Sequence, residues 1–130
     1  RQTIARILQL KRTQPDEAQR ELERATTALT GLTRQQLLSL PLDSILNLIR
    51  CEDPTQQDQA LLLLIQLLWE WGDVSLIRQH PQRAKRSWEK ALLCFEHLST
   101  AALELSETQT WGSAILEGLD QLDGASPPPQ

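Results

Sequence analysis

The chain has 130 residues, of which 40% are hydrophobic and 23% charged, and its net charge is −4 at neutral pH. This composition excludes a disordered chain, and the acidic balance argues against a general nucleic-acid coat. Aromatic residues make up only 4%, and Leu, Ala, Gln, Glu and Arg outnumber the β-branched residues that favour strands. The composition therefore predicts an all-α fold in one domain that is large enough to bury a core.

Proline, glycine and capping residues divide the chain into seven predicted helices. Gly31 is placed to end one helix, and Thr33 begins a capping box for the next. Asp53 and Pro54 fit the N-cap and the first position of a long helix. Pro81 marks another break, because the residue before a proline is pushed out of the helical region. The predicted helices cover residues 3–14, 15–30, 34–39, 42–50, 54–79, 81–105 and 107–122.

Apolar side chains recur at steps of three and four along two of these helices. They are Leu22, Ala25 and Leu29 in the second helix, and Ala84, Trp88, Ala91, Phe95, Leu98, Ala102 and Leu105 in the sixth. Residues 60–65 are apolar without interruption, which predicts a central helix that is buried on more than one side. The longest apolar stretch, Ala60 to Leu68, is broken by Gln66 and is far shorter than the ~20 residues of a membrane helix, so no membrane span is expected.

The two ends of the chain carry expectations of their own. The chain contains no methionine, so we interpret Arg1 as a trimmed end and expect that some N-terminal helix is missing. Residues 124–130, "GASPPPQ", cannot continue a helix, and we expect a disordered tail there. The single all-helical domain is predicted over residues 1–123.

A regular spacing of small and large residues marks the region from 65 to 95. Gly72 lies twelve residues before Ala84, Trp88 follows four residues after Ala84, and Ala91 comes three residues later. Leu68 and Trp71 fill the large apolar positions before the glycine. The pattern resembles that of tetratricopeptide (TPR) repeats, in which a small residue in the first helix lets the second helix approach closely. The resemblance implies an antiparallel main hairpin over residues 54–105.

The TPR pattern is incomplete in this hairpin and degenerate in an earlier one. Ser75 and Glu96 stand where the repeat has an aromatic residue and a closing proline. Upstream, Ala18, Leu22 and Ala25 have the same spacing as the alanines and tryptophan of the main hairpin. The helix before them has Arg6 in place of the glycine. We therefore expect a degenerate hairpin over 3–30, two short helices within 34–50, the main hairpin, and a C-terminal helix over 107–122.

The whole pattern is similar to an uncharacterised bacterial group of TPR-like proteins. A generic helical bundle stays open as the alternative, because any antiparallel helix pair favours small residues at its crossing.

The residues that could carry catalysis or hold a metal are few. Cys51 and Cys94 are 43 positions apart, which is no disulfide framework and favours a reducing cytoplasm. Cys94 and His97 have the spacing of two metal ligands on a helix, but zinc takes three or four ligands and no second pair exists. The acids beside Cys51 raise a thiol pKa rather than activate it. We therefore expect no metal, no cofactor and no enzymatic activity.

The basic turn over residues 78–86 is the feature that breaks a local rule. It carries Arg78, Arg83, Lys85 and Arg86, and the last three fall at a predicted helix N-terminus, where the helix dipole disfavours cations. Breaking such a rule can mark a functional site. Two interpretations stay open: a docking point for an external acidic group, or internal pairing with the acidic C-terminal helix.

Trp69 and Trp71 raise the question of partners. They are ~200° apart around a helix, so both are buried only if the fold covers two faces or a partner covers one. Self-association would cover the open ends of a short solenoid, and we expect a homodimer. The leading hypothesis is a non-enzymatic, cytoplasmic module that binds another protein or itself. The alternative is a nucleic-acid-associated or anion-binding regulator that acts through the basic turn.

Overall fold

The computed structural model describes residues 7–10 and 13–125, and every regular element in this part of the chain is a helix. Residues 7–10 are helical and are called α1. The other helices are α2 (Pro15–Thr30), α3 (Arg34–Ser39), α4 (Leu42–Leu48), α5 (Pro54–Ile77), α6 (Pro81–Phe95), α7 (Thr100–Leu103) and α8 (Ser106–Ala125). The all-α fold class predicted from the composition is confirmed.

The helix bounds follow the capping signals of the sequence. Gly31 ends α2 in the left-handed conformation, with φ 75°, and its N–H donates to the carbonyl of Thr27. Thr33 and Gln36 form the predicted capping box at the start of α3. Asp53 caps α5, since its carboxylate accepts a hydrogen bond of 2.8 Å from the backbone N–H of Thr55. The predicted bounds of α2 and α3 are therefore confirmed residue for residue.

The prediction of one continuous helix over 81–105 is wrong. The helix ends at Phe95, and α7 begins only after Ser99, which caps it by accepting a hydrogen bond of 3.1 Å from the N–H of Ala102. Asp58 of α5 accepts hydrogen bonds from the N–H and hydroxyl of Ser99, at 3.1 and 2.5 Å. A polar contact distant in sequence holds this break, and Leu105, expected on the buried face, is 45% exposed.

Smaller differences occur at other helix ends. The predicted helices over 42–50 and 54–79 end earlier, at Leu48 and Ile77. The last helix begins one residue early, at Ser106, and continues through residues 124 and 125, which were expected in the tail. Thr13 and Gln14 lie outside any helix, so the first predicted helix ends too late. The rest of the expected tail, 126–130, and residues 3–6 lie outside the described residues.

The centre of the fold is α5, as its uninterrupted apolar run predicts. It forms an antiparallel hairpin with α6 and also packs against α2 and α8. Its buried residues include Leu61, Leu64, Ile65, Leu67, Leu68, Trp71 and Val74. Within the described residues α5 is the one helix long and apolar enough to cross a membrane, but 56% of its most apolar stretch is buried inside the protein. Such burial is that of a core helix.

Candidate interaction surfaces

The crossing of α5 and α6 is organised around Trp88. Its indole stacks on that of Trp69, with ring centroids 5.1 Å apart and an interplanar angle of 20°, and its Nε1–H donates to the carbonyl of Trp69 at 3.1 Å. A methyl group built on Gly72 would overlap the indole of Trp88, and one built on Gly118 of α8 would lie 2.7 Å from its Cζ3. Trp88 therefore fills a space that two glycines leave open.

The six residues predicted to pack the hairpin are all buried. They are Leu68, Trp71, Gly72, Ala84, Trp88 and Ala91. Ala84 and Ala91 have no exposed surface, as expected for small residues at a close helix crossing. Both α8 and the hairpin contribute to the surroundings of Trp88, and the resemblance to TPR repeats stays a prediction.

Trp69 and Trp71 are covered from two sides of α5 by other helices. Trp71 is buried and its Nε1–H donates to the hydroxyl of Thr26 in α2 at 2.9 Å, while Trp69 packs on α6. The guanidinium of Arg34 lies 5.4 Å from the ring centroid of Trp71. The fold itself thus buries Trp71 and covers Trp69 in part, leaving Trp69 half-buried. The homodimer stays a prediction.

The basic turn predicted over 78–86 divides into separate parts. Arg78 pairs with Asp16 of α2, and Lys85 lies 3.6 Å from a carboxylate oxygen of Asp123 in α8. Internal pairing with the C-terminal helix therefore holds for Lys85 alone. Arg83 and Arg86 are exposed, and neither has an ion-pair partner among the described residues.

Arg34 of α3 joins Arg83 and Arg86, and we call these three residues the arginine patch. The pKa of Arg34 is lowered from its ordinary value by burial and then by the positive charge of Arg83, with a smaller effect of Arg86; Glu23 opposes this change. Sequence reasoning missed Arg34, although it occupies the first position of α3 and breaks the same helix-dipole rule. Its proximity to α6 depends on the tertiary fold.

Lys90 of α6 fixes α3 beside the arginine patch. Its ammonium donates hydrogen bonds to the carbonyls of Leu37, Leu38 and Leu40, at 2.8, 3.2 and 2.5 Å. These are the carbonyls at the end of α3, which have no partner within the helix and attract a cation. Burial lowers the pKa of Lys90 from its ordinary value. This contact holds α3, which carries Arg34, against α6, which carries Arg83 and Arg86.

A groove with a volume of about 680 Å³ runs between α5 and the start of α8. Its lining is formed by Gln59, Leu62, Leu63, Gln66, Leu105, Glu107 and Trp111. The four α5 residues follow helical spacing, so they share one face of that helix. The leucines and Trp111 form an apolar floor, and the amides and Glu107 are polar. We call this surface the α5–α8 groove.

The groups considered for chemistry lie apart from both surfaces. Cys94 is fully buried, and its burial raises the thiol pKa to about 12, with Lys90 acting in the opposite direction. His97 is exposed in the turn after α6. No group of three or more His, Cys, Asp or Glu side chains in the described part of the chain could hold a metal ion.

These features define an all-α protein built around a helical hairpin, which carries the α5–α8 groove and the arginine patch. Comparison of the chain with protein-family models, curated proteins and solved structures gave no significant match.

Proposed function

We propose that the protein is a TPR-like interaction module that binds a helical segment of a partner protein in the α5–α8 groove. The groove is the observation that carries this proposal. Its lining combines leucines and a tryptophan with amides and a carboxylate, a mixture that suits the apolar stripe and polar flanks of an amphipathic helix. Binding, rather than catalysis, is the proposed role.

The dimensions of the groove support a helical occupant. Gln59 and Gln66 are separated by seven residues of α5, which corresponds to about 10 Å along the helix. Two turns of a partner helix would therefore lie between the two amides, with its apolar residues against Leu62, Leu63 and Trp111. Repeat proteins made of stacked hairpins present concave surfaces of this kind for binding.

The experiment places a photo-crosslinking amino acid at Gln59, in the groove, and at Asn47, which is exposed on α4 and belongs to neither the groove nor the basic turn. We expect a discrete adduct in the source cell from position 59 and none from position 47. Leu105→Glu, which puts a charge in the groove, should abolish the adduct. Leu93→Glu should not, because Leu93 is similarly exposed, at 47%, but lies outside the groove.

The mass of the adduct identifies the occupant. An adduct between two copies of this chain would show that the groove serves the predicted homodimer, and any other mass would show a different partner. Equal adducts from both positions, or an adduct that persists in Leu105→Glu, would contradict the proposed function.

A further inference from the structure

Most basic side chains in the described residues already have a partner. The contacts are Arg20 with Glu17, Arg24 with Glu21, Arg78 with Asp16, Lys85 with Asp123, and Lys90 with three carbonyls. Over residues 7–10 and 13–125, the Lys and Arg side chains with neither an ion pair nor such hydrogen bonds are Arg50 and the three members of the arginine patch. The unpaired positive charge is thus concentrated where α3 meets α6.

The arginine patch brings three like charges together with no ion-pair partner among the described residues, and the charge of Glu23 acts on Arg34 only. Arg83 and Arg86 are three residues apart and share one face of α6, and Arg34 approaches them from α3. The N-terminus of α6 adds a positive field of its own. Such a concentration of charge is unfavourable in the free protein, and an anionic group bound there would relieve it.

One member of the patch, Arg34, is held in place by contacts within the protein. Its guanidinium lies over Trp71, whose own N–H is fixed by Thr26, and Lys90 holds the end of α3 against α6. A ligand would therefore meet one arginine that is already positioned, which reduces the entropy cost of binding. Arg83 and Arg86 are exposed and have no ion pair among the described residues that binding would have to break.

From this geometry we propose that the arginine patch binds a short acidic segment of a partner protein. Guanidinium groups pair with carboxylates through two parallel hydrogen bonds, which a cluster of arginines repeats along a run of Asp or Glu. The surroundings favour a short ligand over a long polyanion. The chain is acidic overall, and Glu23 beside Arg34 and the exposed Glu89 on α6 would repel an extended phosphate backbone.

The test measures fluorescence anisotropy of a short labelled peptide of alternating Glu and Gly, mixed with the full chain. A Gln-Gly peptide serves as the uncharged control. We expect the acidic peptide alone to bind at ~10 mM salt and to weaken toward ~150 mM, where the Debye length is about 8 Å. The triple variant Arg34→Gln, Arg83→Gln, Arg86→Gln should weaken binding by roughly tenfold or more.

A matched variant separates the patch from the overall charge. Arg20→Gln, Arg24→Gln, Arg50→Gln removes the same charge from other exposed sites, and we expect its affinity to stay near that of the wild type. The double variant Arg83→Gln, Arg86→Gln changes two exposed side chains and leaves Arg34 on Trp71, so it should weaken binding even if the triple variant folds poorly.

Three outcomes would overturn the proposal. They are no binding of the acidic peptide by the wild type at low salt, an equal loss in the matched variant, and tighter arginine-dependent binding of an oligonucleotide of equal charge. The proposal does not rest on the α5–α8 groove, because the patch lies on α3 and α6. Leu105→Glu should therefore leave peptide binding unchanged.

Discussion

Trp88 shows how single residues decide the geometry of the hairpin. Its indole needs Gly72 on one helix and Gly118 on another, and its N–H is satisfied by the carbonyl of Trp69. A glycine inside a helix costs roughly 1 kcal/mol relative to alanine. At position 72 that cost is offset by the burial of a tryptophan side chain, which contributes considerably more than a methyl group.

At the residue scale, Gly72→Ala should destabilise the protein although alanine is the better helix former. The added methyl group would overlap the Trp88 indole, and overpacking of this kind costs about 3 kcal/mol, more than the helix propensity returns. Urea unfolding followed by circular dichroism measures the change.

Gly112→Ala is the control with the opposite sign. A methyl group there would lie 3.7 Å from the ring of Phe95, an ordinary contact, so we expect stabilisation by about 0.5–1 kcal/mol. A Gly72→Ala variant as stable as the wild type would contradict the packing described for Trp88.

Among the elements, α3 depends most on contacts from other helices. It has only six residues, which is too short to be stable alone. Its N-terminus is closed locally by the capping box of Thr33 and Gln36, whereas its last carbonyls are bound by Lys90 from α6. One end of the helix is thus determined by adjacent sequence and the other by the tertiary structure.

At the element scale, Lys90→Met should loosen α3 while leaving the hairpin intact. The change keeps an apolar stem but removes the donors, and we expect a loss of about 1.5 kcal/mol together with faster amide exchange in residues 34–40. Hydrogen exchange with mass spectrometry measures both α3 and the hairpin.

Lys85→Met is the matched control, since it removes the same charge from α6. Its exposed contact with Asp123 contributes at most about 1 kcal/mol, and exchange in α3 should not change. Faster exchange in α3 in both variants would show that the charge of α6, and not the Lys90 contact, controls this helix.

The elements also show what sequence can and cannot predict here. Caps at Gly31, Thr33 and Asp53 are local, so the bounds they set could be predicted directly. The end of α6 could not, because the turn after Phe95 is held by Asp58, some forty residues earlier in the chain. The apolar periodicity of the sequence continues across that turn, so it does not indicate where α6 ends.

The candidate surfaces could be predicted only in part from the sequence. The density of basic residues marked Arg83 and Arg86, but a linear cluster does not show that Arg78 and Lys85 pair elsewhere or that Arg34 approaches. The sequence pattern indicates the α5–α8 groove less clearly than it indicates the basic residues. Leu62 and Leu63 belong to the apolar run that predicted full burial, and the structure leaves them half-buried.

On the scale of the whole molecule, charge is separated along the chain. From Glu96 onward there are six acids and no Lys or Arg, while the arginine patch lies on α3 and α6. The contact between Lys85 and Asp123 joins the two regions at one place. The arginine patch has no ion pair with the acidic helix α8, so it keeps its positive field in a protein of net negative charge.

Cys94 makes the stability of the whole fold sensitive to alkaline pH. Its thiol pKa rises on folding from 9.0 to about 12, so the buried thiol stays protonated where the unfolded chain forms a thiolate. The stability that this provides is complete below pH 9 and is lost as the pH rises toward 12. The slope of the loss is at most about 1.4 kcal/mol per pH unit.

The final prediction is that Cys94→Ala removes this slope, while Cys51→Ala keeps it. Urea unfolding midpoints between about pH 8 and pH 10 under reducing conditions measure the effect. Burial lowers the pKa of Lys90, which acts with the opposite sign, and Cys94 opposes that change, so the difference between the two variants reports Cys94 together with its coupling to Lys90. An alkaline slope that survives in Cys94→Ala would assign the loss of stability to another group.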